Sequence, residues 1–129
     1  MSAHLMVVLS NAKPGQDEEF NRWYSDVHMV ETIDRLDGFA TAQRFVLAGL
    51  DAAPPCPYRY LAIYEIPPDQ LETAYAQFHW QRAERAEALA AGRDPVVSVS
   101  DTLLPDPFVV GFFSPITERV PSQRDQAAS

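Results

Sequence analysis

Residues 58–66, YRYLAIYEI, form an extended run that is apolar on both sides. Side chains alternate across a strand, so Tyr58, Tyr60, Ala62 and Tyr64 point one way while Leu61 and Ile63 point the other. PFVVGFFSPI (107–116) repeats the pattern, with Phe108, Val110 and Phe112 set against Val109 and Phe113. A sheet built from such strands needs a covering layer on each face, because a wide apolar face left open is an exposed patch. The rest of the chain decides which layers are available.

HLMVVLS (4–10) is short and apolar and ends at the turn sequence NAKPG, which marks a buried first strand. From Gln16 to about Leu36 the period changes. Phe20, Trp23, Val27 and Val30 recur at spacings of three and four and make one apolar helical stripe. Asp17, Glu18 and Glu19 occupy the first turn, where the helix dipole favours acids, and Gly38 is the expected C-cap. FATAQRFVLAG (39–49) reads as a second strand, the proline-rich LDAAPPCP (50–57) as a loop, and 58–66 as a third strand. Residues 67–92 open on proline, close on glycine and are rich in Ala, Glu and Gln, the signature of a second helix, with a break near His79 as one option. Residues 93–106 read either as two short extended pieces or as a lid-like loop, 107–116 as a fourth strand, and the polar 117–129 as a flexible tail.

The order is β-α-β-β-α-β, an α+β, ferredoxin-like split βαβ pattern with two helices on one face of a four-stranded antiparallel sheet. Residues 1–116 make one domain, as a length of 129 residues suggests. Two helices cover one sheet face only. The expected cover for the other is a second copy, a homodimer that buries the faces bearing Tyr60, Tyr64, Phe108 or Phe112 and encloses an interior.

Charge and cysteine usage narrow the function classes. The net charge is −8 and Lys13 is the one lysine. Nucleic acid and anionic membranes are excluded as expected partners, because phosphate binding needs clustered Lys and Arg. Cys56 has no CxxC partner, so Cys-rich zinc and dithiol sites are excluded, and a lone thiol fits a reducing cytoplasm. The N-terminus lacks the basic segment of a signal peptide, and its apolar run is too short to span a membrane. The three histidines lack paired-ligand spacing, so no metal and no cofactor is expected. There is no GxSxG, P-loop, GxGxxG or HExxH.

GQDEEFNRWYSDVH followed by DGFATAQRF resembles the EthD-like branch of the dimeric α+β barrel superfamily. The resemblance rests on Asn21, Trp23, Tyr24, His28, Gly38, Phe39, Arg44 and Phe45, with AAGR and VGFFSPI in support, and covers roughly residues 4–116. One departure is Met29-Val30, where many relatives have an apolar residue followed by proline. The resemblance implies a dimeric barrel. It also implies cofactor-independent chemistry, as in the cyclases, lyases, isomerases and monooxygenases of that branch acting on aromatic or polyketide-like compounds, or an accessory role.

Asn21, Tyr24 and His28 fall on one helix face beside the apolar stripe. His28 is either a general acid/base, for which imidazole is suited, or a structural residue bonded to backbone. Arg44 is either a surface charge or an anion clamp aimed inward. Tyr60 and Tyr64 are core or interface residues, or orient a phenolic ligand. His79 and Trp80 form a second His-Trp pair that either joins the same cavity or lies apart from it. Two functions stay open. One is an enzyme on an oxygenated small molecule, with His28 moving a proton and Arg44 and Tyr24 stabilising an oxyanion while Asn21, Tyr60, Tyr64, His79 and Trp80 bind substrate. The other is a binder or accessory protein of a pathway.

Overall fold

The computed structural model describes residues 3–124. Its elements run β1 (His4–Ser10), α1 (Asp17–Trp23), a π-helical turn (Tyr24–His28), α2 (Met29–Arg35), β2 (Thr41–Val46), β3 (Tyr60–Ile66), α3 (Leu71–Ala90) and β4 (Val109–Phe113). α1, the π turn and α2 follow without a gap and make one first helix; α3 is the second. The four strands form one antiparallel sheet in the order β2-β3-β1-β4. This is the expected α+β, ferredoxin-like arrangement. α3 is continuous through His79 rather than broken there. Of the expected tail, 125–129 lie outside the described residues.

Register decides what each side chain sees. Arg44, Ala62, Val8 and Val110 form one row across the sheet. Ala42, Tyr64, Met6 and Phe112 form the next. These rows lie under the helices, where Met6, Val8, Tyr60, Ala62, Tyr64 and Ile66 are buried with Phe20 and Tyr24 of the first helix. Phe112 packs edge-on against Tyr75 and Phe78 of α3. The expectation that Tyr60, Tyr64, Phe108 or Phe112 lie on the face awaiting a partner is therefore corrected, Phe108 lying just ahead of β4 beside Met6, Val8 and Val110. The uncovered face carries Leu5, Val7, Leu9, Phe45, Leu61, Ile63, Val109 and Phe113, and Phe113 is 57% exposed.

The first helix keeps the first half of the expected stripe, with Phe20 buried and Trp23 packed against the core, and departs from it after that. Phe20, Tyr24 and Thr32 are buried, His28 is mostly so, and Val27 and Val30 are exposed. In an α-helix each four-residue step overshoots a full turn by about 40°. The wider π turn, closed by i→i+5 bonds, undershoots it. One π turn in mid-helix cancels the drift, so residues 20, 24, 28 and 32 stay on the core side. The helix ends at Arg35, with Leu36 already extended. Gly38 comes later, in a turn at φ +95°, where a Cβ would sit 2.7 Å from the Ala74 backbone nitrogen. Its role is close approach to α3 rather than capping.

Residues 93–104 run as an irregular strap with one isolated bridge, Ala12 to Leu103. Side chains of both helices grip its backbone. Glu84 accepts from the Val96 N–H (2.7 Å) and from Arg93 (2.7 Å). Glu31 accepts from the Ser98 N–H (2.8 Å), and Arg35 donates to the Val96 carbonyl (2.8 Å). The lid-like alternative describes this segment better than two strands.

Candidate functional site

A cavity of about 160 Å³ lies between the β1–β4 side of the sheet, the two helices and the strap. Its apolar wall comes from Met6 and Val8 of β1, Val110 of β4, Phe78 of α3, and Leu36, Phe39, Leu103 and Phe108. Its polar groups are Tyr24, His28, Thr32, Tyr64, Gln81, Arg82, Arg85, Ser98 and Ser100, with Trp23 beside them. A cavity of about 150 Å³ with apolar walls accommodates one benzene ring, so the space suits a one-ring molecule.

The π turn delivers Tyr24 and His28 to this space. The His28 ring stacks on Trp23 at 4.6 Å between centroids and meets Tyr24 edge-on at 4.9 Å. Its Nδ1 lies 2.9 Å from the Ser98 carbonyl oxygen, and Trp23 donates to the Ser98 hydroxyl at 3.0 Å. A carbonyl only accepts, so Nδ1 carries the hydrogen and Nε2 keeps its lone pair. Among the described residues Nε2 has no partner. Burial is the main cause that lowers the His28 pKa to about 4; the charges of Arg85 and Arg44 push the same way, against the Ser98 bond and Glu31. The ring is neutral at pH 7.

Tyr64 donates to the Tyr24 hydroxyl at 3.2 Å. Burial raises the pKa of both phenols, so both stay protonated and the Tyr24 O–H remains available as a donor. Thr32 spends its hydroxyl on the His28 carbonyl at 2.8 Å.

Arg44 does not share the cavity with His28. It stands on β2, one strand beyond β3, so in its row it is about 14 Å from Val110, three strand spacings away. There its guanidinium lies 4.4 Å from the Tyr24 ring centre and 5.3–5.4 Å from those of Tyr60 and Phe20. It donates to Ser25 (2.9 Å) and Asn21 (3.0 Å). Asn21 in turn donates to the Tyr60 hydroxyl (3.1 Å), which donates to Asp17 (2.6 Å). Asn21, Arg44 and Tyr60 thus form a bonded chain on the β2–β3 side, away from the cavity lining. His79 and Trp80 are exposed on α3, with His79 stacked edge-on to Tyr75, and neither lines the cavity. Of the expected set, Tyr24, His28 and Tyr64 meet in the cavity.

Among the polar lining residues that sequence alone did not single out, Gln81, Arg82 and Arg85 share α3. Gln81 is 7% exposed and among the described residues its Nε2 has no hydrogen-bond partner. The available signal was spacing, since Phe78, Gln81, Arg82 and Arg85 recur at i, i+3, i+4 and i+7 on one helix face. Among the described residues no group of three or more His, Cys, Asp or Glu is arranged to hold a metal ion. No described helix is long and apolar enough to cross a membrane. Comparisons with protein-family models, with curated proteins and with solved structures gave no match.

Proposed function

We propose that the protein is a cofactor-independent enzyme that moves a proton on a one-ring, oxygenated small molecule held in the cavity, with His28 as the base and Tyr24 as the donor to the developing oxyanion. One observation carries this reading: His28 has its Nδ1 pinned to the Ser98 carbonyl, while the unpartnered Nε2 belongs to a cavity-lining ring. The fixed tautomer keeps a lone pair ready at neutral pH. In the reaction, Nε2 takes a proton from the carbon next to a carbonyl. The C–H electron pair moves to the carbonyl oxygen, which the Tyr24 O–H stabilises. Return of the proton to a different carbon completes an isomerisation; departure of a β substituent completes an elimination.

The EthD-like resemblance of residues 15–45 belongs to the same proposal, supported by the ferredoxin-like element order. So does a homodimer joined through the open sheet face, supported by the apolar side chains on it. A cytoplasmic location is supported by Cys56, an exposed free thiol.

Phenylacetone in deuterated buffer is a suitable probe, with NMR following exchange at the carbon beside the carbonyl. The wild-type protein accelerates exchange, and His28→Gln loses about 100-fold or more of that acceleration, the range for removing a general base. A His28→Gln protein that exchanges as fast as wild type overturns the reading. A second reading, binding without turnover, is favoured by the depressed His28 pKa of about 4. It expects bound phenylacetone with exchange at the buffer rate.

A further inference from the structure

We propose that the Gln81–Arg82–Arg85 face of α3 is the carboxylate-binding end of the cavity, and that the ligand is a one-ring organic acid. The inference rests on the cavity reading above and adds the chemical class of what occupies it.

Four observations converge. Gln81 is 7% exposed, lines the cavity and has an Nε2 without a partner among the described residues. A buried donor left unpaired is a cost that native structures rarely keep without reason. Arg82 and Arg85 line the same cavity, Arg82 exposed and 5.5 Å over the Phe78 ring, Arg85 partly buried. They lie three residues apart on one helix, where like charges repel, and among the described residues neither has an acidic partner. This is a chain with 18 Asp and Glu against ten Lys and Arg, and Arg22, Arg35, Arg59 and Arg93 all have acidic partners. Arg85 is also partly desolvated, which with the charge of Arg82 lowers its pKa. An anion in the cavity answers all of this at once. Its oxygens take the guanidinium hydrogens in the fork geometry arginine offers carboxylates and take the Gln81 amide hydrogen. The apolar wall of Phe78, Phe108, Leu103 and Val110 then receives the ring.

The site also speaks to His28. Burial is the largest cause of the His28 pKa near 4; the charge of Arg85 lowers it further, with Arg44 acting in the same sense and the Ser98 bond and Glu31 against it. A bound carboxylate offsets Arg85, so the imidazole becomes a stronger base when an acid occupies the site. An acid ligand thereby improves the base that acts on it.

The test uses benzoate and its neutral counterpart benzamide, titrated calorimetrically into the wild-type protein at pH 7. Benzoate is expected to bind at least 10-fold more tightly than benzamide, and the preference to fall as salt rises. Arg85→Met and Arg82→Met bring the benzoate-to-benzamide ratio toward unity, and Arg85→Lys restores part of it. NMR titration of His28 shows its pKa rising when benzoate is bound and not when benzamide is. Equal affinity for the two ligands in the wild type overturns the carboxylate assignment and leaves the phenylacetone reading intact. So does a preference that survives in the Arg82→Met/Arg85→Met protein. Failure of both ligands to bind refutes the carboxylate site together with the one-ring cavity it depends on.

Discussion

Replacing Gln81 by leucine is expected to make the protein more stable and the site worse. The side chain is 7% exposed and its amide nitrogen has no partner among the described residues. Leaving a buried donor unsatisfied costs about 1–3 kcal/mol, whereas an apolar group of similar shape carries no such penalty. Leucine also adds apolar contact with the cavity wall at Phe78 and Leu103. A gain of about 1–2 kcal/mol is therefore expected. For a chain of this length 1 kcal/mol moves the melting temperature by about 3–6 °C, so the midpoint rises by about 3–12 °C. Thermal and urea unfolding followed by far-ultraviolet circular dichroism measure this directly, and an unchanged urea slope shows that the gain lies in stability alone. Benzoate then narrows the gap between the two proteins. At 100 times its Kd a ligand adds about 2.7 kcal/mol to the wild type, and the variant, lacking the amide donor, gains less at the same concentration. A Gln81→Leu protein destabilised by more than about 1 kcal/mol would refute the reasoning, because it would mean the amide contributes to the fold through a partner of its own.

Acid provides a test of His28. Its pKa is lowered to about 4 from 6.5, so below pH 6.5 the unfolded chain binds a proton that the folded chain refuses, and stability falls as pH drops toward 4. The loss over that window is about 3 kcal/mol; urea unfolding at stepped pH measures it, and a His28→Phe protein showing the same slope refutes the assignment. For the open sheet face, light scattering is expected to give about twice the 14.4 kDa chain mass for the wild type and a single chain for Phe113→Glu; a wild-type protein at single-chain mass ends the dimer proposal. Trp23→Ala removes ring contacts to Phe20, Tyr24 and His28 and the bond to Ser98. It is expected to cost about 3–5 kcal/mol, and a loss below 1 kcal/mol in urea unfolding would show that Trp23 does not anchor the first helix.

Element order was legible because two periods, near two in the strands and near 3.6 in the helices, are written directly in the chain. What escaped were features that depend on register. The stripe through Val27 and Val30 assumed a regular helix, and a single π turn moved the buried face to Tyr24, His28 and Thr32. The inward reading of Arg44 aimed it at an interior between two sheets; it sits instead on the helix-covered face, and the strand order puts it on the β2 side while the cavity lies under β1 and β4. On α3, His79 and Trp80 carry the more distinctive chemistry and are exposed, whereas Gln81 and Glu84 are the buried polar residues. Polar residues on the same stripe as Ala74 and Ala88 were the better clue, since a buried polar side chain needs a partner or a purpose.

The strap over the cavity is held in an asymmetric way. Glu84, Glu31, Arg35 and His28 all grip its main chain, at Val96 and Ser98, with donors and acceptors that every residue except proline possesses. The side chains it turns to the cavity at Val99, Ser100 and Leu103 take no part in that attachment. Position and composition of this wall are thereby decoupled. Substitutions at residues 99 and 103 can alter the size of the space while the anchoring stays intact, whereas the Ser100 hydroxyl also bonds Thr102, so selectivity for a different ring is open to single-step change at the first two without passing through an unfolded ancestor.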